Sequence, residues 1–403
     1  MVLARLDRWF VSLMVVVVAL LSATPAHAYP WMIRYRSSGC ASCHTDPSGA
    51  GTLTTSGRAS SELLTRSDEV PDPAALGATD PGSPASRFLW GAFPLPDNIR
   101  LGGDLRGAYA STTTGDRSTD RRLLLPRADF NADLELARFR VAASVGYAAT
   151  GSTQAALTRR STRNLVSRDH WLGYEIGTDR SWLLRAGRIG VPFGLRVSEG
   201  ALWVRSATRT TLDDDQEYGA ALYGTVGPFR GEIMAIVGNF QIRPDDYRER
   251  GYSAYVEGAA TPRLAIGVSS LVTRATRDIV FRVTDFRHAH GAFARWSPAP
   301  PLALLAEADW LYQSLANHGH RSGHAAFAQA DWEAKQGIHV MLTFETKNDG
   351  GPEEHESYGA WASAVWFFAP HADLRLDDMY RRLDRVDGGV DSFAWLATLH
   401  LYL

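Results

Sequence analysis

The amino-acid sequence predicts an all-β fold, an antiparallel β-barrel of the outer-membrane type with about sixteen strands, preceded by a short N-terminal segment. Three observations support this prediction. The chain opens with an export signal. Residues 99–403 consist of segments of about ten residues with alternating polarity. The connections between these segments alternate between short turns and longer polar loops. Together they divide the chain into four parts, with boundaries near residues 28, 66 and 98.

Residues 1–28 have the features of a secretory signal peptide. Arg5 and Arg8 lie in a charged start, residues 9–21 form an apolar run, and residues 26–28 are an A-x-A cleavage site. A membrane anchor would need a longer apolar stretch of about 20 residues without this cleavage site. We therefore predict export and a mature chain that begins at Tyr29.

The stretch GCASCHTDPSG at residues 39–49 holds the two cysteines of the chain, in the order C-x-x-C-H. In an exported protein this motif is a covalent haem c site, a redox dithiol or disulfide, or a coincidence. A redox dithiol would need a strand–helix context of the βαβ type, which the sequence does not show. The haem interpretation assigns thioether bonds to Cys40 and Cys43 and the proximal iron ligand to His44. We therefore predict one covalent haem c, held by these three residues.

The haem-binding segment is too small to shield a haem by itself. It spans residues 29–66, below the ~40 residues that an independent core requires. Residues 67–98 are rich in Pro, Gly, Ala and Asp, and are predicted to be a linker. The haem therefore needs a second wall. We expect the segment to enter the periplasmic mouth or the lumen of the barrel as a plug.

Alternation of polarity is clear in the porin-like region, residues 99–403. Leu124 and Phe130 share one face of a predicted strand, and Asp129 and Asp133 share the other. In a membrane barrel the apolar face contacts lipid and the charged face lines the lumen, whereas a secreted soluble sandwich buries its apolar face. The predicted strands lie near residues 99–109, 122–135, 138–149, 167–177, 181–189, 216–226, 229–238, 251–260, 263–273, 286–297, 302–313, 323–333, 338–347, 356–368, 371–381 and 391–403.

Turns, tryptophans and charge favour the membrane barrel. Short turns such as Gly227-Pro228 alternate with longer polar loops, as periplasmic turns and outer loops do. A formal net charge of −2 and a mean hydropathy of −0.18 exclude a helical membrane bundle and argue against a nucleic-acid partner. Six tryptophans are predicted to lie near strand ends, where interfacial girdles occur: Trp182, Trp296, Trp310, Trp332, Trp366 and Trp395.

The segment PWMIRYRSSGCASCHTDPSGAGTLTTSGR resembles the N-terminus of the fused monohaem cytochrome c–porins, outer-membrane proteins with one haem c ahead of a porin barrel. The resemblance covers about a tenth of the chain by motif. This chain departs from the pattern by inserting a glycine-rich SGAG after Pro47. A second stretch, LLRAGRIGVPFGLR, is similar to a strand–loop segment of the phosphate-selective porins. The positions that match the cytochrome–porin pattern are Pro30, Arg34, Cys40, Cys43, His44, Pro47, Leu53, Thr54, Gly57 and Arg58.

The best-known members of the cytochrome–porin family are iron oxidases. The resemblance therefore implies an Fe(II)-oxidising c-type cytochrome in the outer membrane of a Gram-negative cell, an electron conduit between an extracellular donor and a periplasmic c-type cytochrome. The alternative is a porin for anions or small solutes with a haem-bearing plug. Outer-membrane lipid is an expected partner in both cases, and nucleic acid is not.

The second axial ligand of the haem has three candidates. Met32 lies close to the motif and would give His/Met ligation with a raised potential. His339 and His400 are predicted to face the lumen near the periplasmic end, and either would give His/His ligation.

Two polar clusters are predicted in the outer loops. One spans residues 317–324 and contains His318, His320 and His324; the other is DDD at residues 213–215, followed by Glu217. Imidazoles and carboxylates suit Fe(II) and other divalent ions, so the clusters could receive metal at the cell surface. A solvated polar loop explains them equally well.

Overall fold

The computed structural model describes residues 30–35, 39–49, 51–58, 88–115, 118–147, 165–197, 199–212, 215–238, 249–278, 281–317, 319–351, 355–369, 371–384, 386 and 388–403. The predicted signal peptide and residues 67–87 of the predicted linker lie outside these ranges. Among the residues that are described, none belongs to a helix that is both long and apolar enough to cross a membrane.

The described part of the chain forms one antiparallel sheet that closes into a barrel. β4 and β5 both pair with β3 and follow one another along it, so the barrel has 16 strand positions. β1 pairs with β2 and also with β17, from Asp104–Tyr402 to Thr114–Ser392, which closes the sheet and removes its free edges. This architecture confirms the predicted fold class. The strands are β1 (Ile99–Thr114), β2 (Ser118–Leu136), β3 (Phe139–Tyr147), β4 (Leu165–Val166), β5 (His170–Ile176), β6 (Trp182–Gly190), β7 (Gln216–Val226), β8 (Phe229–Gly238), β9 (Glu249–Thr261), β10 (Leu264–Ala275), β11 (Asp285–Ala299), β12 (Leu302–Leu315), β13 (Gly319–Lys335), β14 (Ile338–Asn348), β15 (Ser357–Ala369), β16 (Ala372–Leu383) and β17 (Val390–Tyr402).

Two differences from the predicted strands change where candidate residues lie. The predicted strand at residues 167–177 is interrupted, because the backbone N–H groups of Arg168 and Asp169 donate to the Ser144 hydroxyl at 3.0 and 2.8 Å. β13 begins at Gly319 instead of near residue 323, directly after a tight turn in which Asn317 has a φ of +69°. His320 therefore belongs to a strand and not to an outer loop.

Side chains alternate along the strands as predicted. Phe130 is 46% exposed on the outer surface of β2, whereas Asp129 and Asp133 are buried in the lumen. On β14, Leu342 is exposed and Glu345 is buried. A barrel with an apolar exterior and a charged interior is the arrangement that a lipid environment stabilises, so the soluble-sandwich alternative is wrong.

The six predicted girdle tryptophans all lie on the exposed outer surface, as expected for an interfacial belt. Tight turns at one end of the barrel contain Ala137, Gly227 and Gly337, each with a positive φ. The longest connections lie at the other end. Short turns mark the periplasmic end of such barrels and long connections the outer end, which orients the molecule.

The connection between β6 and β7 folds into the lumen. It carries a short helix, α1 (Trp203–Thr208), and its side chains pack on residues of β11, β12, β13 and β15. Glu307 of β12 accepts a hydrogen bond from the Leu195 N–H at 2.8 Å and forms a buried ion pair with Arg205. The sequence predicted only a polar outer loop here. The apolar residues that this inward segment buries are Leu195, Val197, Leu202 and Val204.

The described N-terminal residues also lie inside the barrel, and we call residues 30–58 the plug. A 3-10 helix, Pro30–Tyr35, contacts β11 and β12, and Trp31 and Met32 are buried against the wall. The Arg58 guanidinium donates to the carbonyl of Leu101 near the start of β1. Because β1 starts at the periplasmic end, the Arg58 end of the plug lies there, inside the barrel as the sequence led us to expect.

Candidate functional site

The C-x-x-C-H motif forms a helical turn. Residues Cys40–Ser42 are a 3-10 helix, and the N–H groups of Cys43 and His44 donate to the Cys40 carbonyl at 3.1 and 2.9 Å. Residues three and four positions apart in such a turn lie on one face. The turn brings Cys40, Cys43 and His44 close together, and His44, the first residue after it, forms a β-bridge with Leu53.

Short-range contacts fix this turn within the plug. The Thr45 N–H donates to the Thr52 carbonyl at 2.9 Å, and the Thr54 N–H donates to the Cys43 carbonyl at 2.8 Å. Gly57 packs so closely that a Cβ there would lie 2.8 Å from the Cys43 Cα. Only glycine allows this approach without a shift, which explains a glycine in the downstream part of the motif.

A buried ion pair ties the motif to the barrel wall. Asp46 lies 2.6 Å from Arg185 of β6, both side chains are almost fully buried, and Arg185 also pairs with Glu232 of β8. From the inward segment, Arg196 donates to the Ser48 carbonyl at 2.9 Å. Burial disfavours the Asp46 carboxylate, but the Arg185 charge and the Ser48 hydrogen bonds outweigh it and hold the Asp46 pKa below its usual value.

A second set of contacts holds the 3-10 helix at β13. Arg34 lies 2.8 Å from Asp331 and 3.2 Å from Glu333, and the Tyr35 hydroxyl donates to Glu333 at 2.6 Å. Burial, together with the Glu333 charge, raises the pKa of Tyr35, so this hydroxyl remains protonated. The Trp31 ring lies 4.5 Å from the ring of His339 on β14. The plug is thus anchored to the barrel at two separate places.

Cys43 is buried and Cys40 is half-buried. His44 is half-buried, but its Nδ1 atom is buried and has no hydrogen-bond partner among the described residues. Burial lowers the pKa of His44 to about 4, which the nearby Asp46 carboxylate opposes. The imidazole is therefore neutral at physiological pH, the state that binds a metal ion.

A cavity of about 380 Å³ adjoins the turn at the periplasmic end. Ala41, Ser42 and Thr45 line it on the plug side, and Arg140 and Arg230 line it on the barrel side. Both arginines already pair with carboxylates of the wall, Arg140 with Glu175 and Arg230 with Glu257. Cys40, Cys43 and His44 do not line this cavity. The helical turn and the neutral imidazole are therefore compatible with a haem c, but the cavity is not placed to hold one.

The three candidates for the sixth ligand lie in different surroundings. The Met32 side chain is buried in an apolar cluster with Ala303 and Met341. The other two line a second cavity of about 330 Å³ beside the plug, and both face the lumen as predicted. The His339 Nδ1–H donates to Asp331 at 3.0 Å, and its buried Nε2 has no hydrogen-bond partner among the described residues.

His400 has two carboxylate neighbours. Its Nδ1 lies 2.9 Å from Asp373 and its Nε2 lies 3.3 Å from Asp104. The Asp104 carboxylate also opposes the lowering of the His44 pKa by burial, so His400 and His44 share this neighbour. The identity of the sixth ligand stays a prediction.

The two predicted metal-binding clusters are not assembled in the described residues. His318 and residues 213–214 lie outside the described ranges. Asp215 accepts hydrogen bonds from Thr211 at 2.9 Å, and His324 lies 2.9 Å from Glu356. His320 is on the outer face of β13, away from the lumen. No group of three or more His, Cys, Asp or Glu side chains that could hold a metal ion occurs where the structure is described.

No protein-family model and no curated protein matches the chain. Several solved structures are similar to it. The anion-selective porin from Comamonas acidovorans is 12% identical, with a TM-score of 0.56 over 76% of this chain and 99% of that one. The outer-membrane channel DcaP of Acinetobacter baumannii is 13% identical, with a TM-score of 0.54 over 77% and 99%. A loop-deletion mutant of OmpT from Vibrio cholerae is 12% identical, with a TM-score of 0.55 over 76% and 99%.

The protein is an outer-membrane β-barrel of porin architecture. The apolar exterior, the aromatic belt and the similarity to these structures agree on this localisation. Identities this low establish the fold and not the transported species.

Proposed function

We propose that this protein is an outer-membrane electron conduit, a porin-sheathed monohaem c-type cytochrome that passes electrons between an extracellular donor, foremost Fe(II), and a periplasmic c-type cytochrome. One observation carries the proposal. The C-x-x-C-H turn is held inside the barrel by a buried ion pair between Asp46 and Arg185. A haem-binding turn fixed inside the lumen obstructs the diffusion of solutes. A plugged barrel is therefore better suited to electron transfer than to transport.

In this proposal Cys40 and Cys43 carry the thioether bonds and His44 is the proximal ligand. The bound haem supplies one-electron chemistry. The barrel excludes bulk water from the motif. The ion pair between Asp46 and Arg185 holds the motif in place against the wall. The cavity beside the turn lies next to the periplasmic turn at Gly227, where a periplasmic cytochrome can approach.

The outer part of the lumen is lined by paired charges. Buried carboxylates lie at the outer ends of three strands, Glu217 on β7, Glu249 on β9 and Asp285 on β11. Arg287 pairs with Glu249 at 2.6 Å, and Arg209 lies 3.9 Å from Asp285. Oxygen ligands suit divalent iron, and a donor that enters from outside would meet these carboxylates on its way to the motif.

Haem attachment is tested by intact mass and a pyridine haemochrome assay on protein made with the cytochrome c maturation machinery. We expect one haem per chain. Replacing both Cys40 and Cys43 with Ser should give the mass of the bare chain from Tyr29. Ala41→Ser, a change inside the motif that keeps both thiols and the histidine, is the matched control and should retain haem. A wild-type chain without haem would refute the proposal.

Conduction of electrons is tested in proteoliposomes that enclose an oxidised c-type cytochrome. We expect Fe(II) added outside to reduce the enclosed cytochrome, and the double cysteine variant to abolish this. Glu217→Gln and Glu249→Gln should slow the reduction if the lumen admits the cation. A rate that is independent of the haem would contradict the conduit.

The sixth ligand is tested by spectroscopy of the oxidised and reduced haem protein. Met32→Leu, His339→Gln and His400→Gln are compared with the wild type, and His44→Ala should abolish the normal low-spin spectrum. Only removal of the true ligand should convert the haem to high spin or shift its potential strongly. If none of the three changes the spectrum, all three candidates are wrong.

A second candidate function is a porin for anions or small solutes, which the similarity to porins favours. Two cavities beside the plug, of about 330 and 380 Å³, leave space in the lumen. Planar-bilayer conductance separates the two functions. Large ion currents through the intact protein, together with a haem that no external donor reduces, would establish the porin.

A further inference from the structure

The outer wall of the barrel carries histidines where lipid-facing side chains are expected. On β11, Asp285 and Ala289 are buried in the lumen, so His288 and His290, which alternate with them, face outward. Polar and ionisable side chains on a membrane-facing surface are costly, and they usually mark a function. Neither the conduit nor the porin uses these two residues.

The rings of these histidines belong to a cluster that crosses three strands. His288 lies 4.6 Å from Tyr312 and 5.6 Å from His290, measured between ring centroids. His290 stacks on Trp310 at 5.7 Å, and Tyr312 stacks on His320 of β13 at 6.1 Å. These aromatic contacts therefore restrict the conformations of the histidine side chains.

Two arginines extend this surface to β9 and β10. Arg250 and Arg274 are register partners, both are exposed, and their neighbours Glu249 and Ala275 face the lumen. Like charges placed directly opposite each other repel. No carboxylate among the described residues forms an ion pair with either arginine. An anion from outside the chain would therefore stabilise this pair. We name Arg250, Arg274, His288, His290 and His320 the outer basic patch.

The patch has a defined height in the membrane. His290 is the register partner of Trp310, whereas Trp296 lies near the opposite, periplasmic end of β11. The tryptophans mark the two interfaces of the apolar band. The patch therefore lies at its outer boundary, at the level of outer-leaflet headgroups. In a Gram-negative outer membrane, the outer leaflet consists largely of a glycolipid with a phosphorylated disaccharide headgroup.

We propose that the outer basic patch binds a phosphate of this outer-leaflet glycolipid. The arginines supply charge and paired N–H donors, a combination that recognises phosphate. The histidines add donors, and Trp310 and Tyr312 contact the boundary between headgroup and acyl chains. This site is independent of the plug and of any haem.

The test is native mass spectrometry of the folded barrel released from detergent that contains lipid A. We expect bound lipid A on the wild type. Dephosphorylated lipid A should not be retained, and an excess of inorganic phosphate should compete only weakly because it lacks acyl chains. Changing both arginines, Arg250→Gln and Arg274→Gln, should weaken binding by about 25-fold, since each basic side chain near an anionic surface contributes about five-fold.

Arg122→Gln is the matched control. Arg122 is an exposed arginine near the outer end of β2, where it lies 2.6 Å from Asp120. It should retain lipid A as the wild type does, and heat-modifiable migration shows whether each variant is folded. Equal binding of phosphorylated and dephosphorylated lipid would overturn the proposal, as would full competition by inorganic phosphate. Variants that change the oligomeric state but not lipid binding would show that the patch contacts a second copy of the chain.

Discussion

Removing the carboxylate of Asp46 should release the part of the plug that carries the cysteine motif. Asp46 and Arg185 are 2.6 Å apart, and their side chains are at most 2% exposed. Breaking a buried ion pair by removing one partner costs about 3–5 kcal/mol, because the remaining charge stays buried. Because Glu232 still neutralises Arg185, we use the lower limit of this free-energy range. Asp46→Asn should therefore weaken docking by about 3 kcal/mol, or roughly 150-fold in the docking equilibrium.

Thiol accessibility measures this equilibrium, because the chain has two cysteines and one of them is buried. In a Cys40→Ser background made without haem attachment, Cys43 is the single thiol, and it is 2% exposed. A hydrophilic thiol reagent should modify it only when the plug opens. When opening is fast relative to modification, the rate is proportional to the open population. Asp46→Asn should then raise the rate of modification by about two orders of magnitude.

Asp278→Asn provides the matched control. Asp278 is also a buried aspartate paired with an arginine, Arg209, at 2.5 Å, but it lies at the outer end of the barrel. Asp278→Asn should leave the rate of Cys43 modification unchanged. Equal rates in the Asp46 variant and its parent would refute the claim that this ion pair holds the plug. Equal acceleration by both variants would show general loosening of the barrel instead.

Three further predictions concern the plug, the inward segment and the barrel as a whole. Gly57→Ala should open the plug in the same thiol assay, since the new Cβ would overlap the Cys43 backbone, whereas Gly107→Ala, which meets no atom within 4 Å, should not. Glu307→Gln should lower the temperature at which the barrel unfolds on gels, because Arg205 stays buried without its partner at a cost of about 3 kcal/mol. The wild-type barrel itself should migrate differently with and without heating and require detergent for extraction; a freely soluble product would contradict the fold.

The local features of this protein could be read from its sequence. Strand alternation has a period of two and depends only on neighbouring residues, so the lumen-facing and lipid-facing sides were correctly predicted for residues such as Phe130 and Asp133. The C-x-x-C-H motif is equally local, because a single helical turn brings its three residues close together. A segment too short for its own core implied a second wall, and the plug is found inside the barrel.

The tertiary structure decided which wall residues meet the plug and how deep it sits. The Arg34 guanidinium meets the backbone of Asp331 across 297 positions of the chain, a contact that no local pattern encodes. The inward course of the connection after β6 depends likewise on distant partners such as Glu307.

The outer basic patch also emerged only from strand register. His320 was assigned to a loop, because the tight turn at Asn317 is shorter than the polar composition suggested. Arg250 and Arg274 became a pair only when β9 and β10 aligned. Composition and period fix which side of a strand a residue occupies. Only the closed sheet fixes which residues it faces, because register is set cooperatively by all the strands at once.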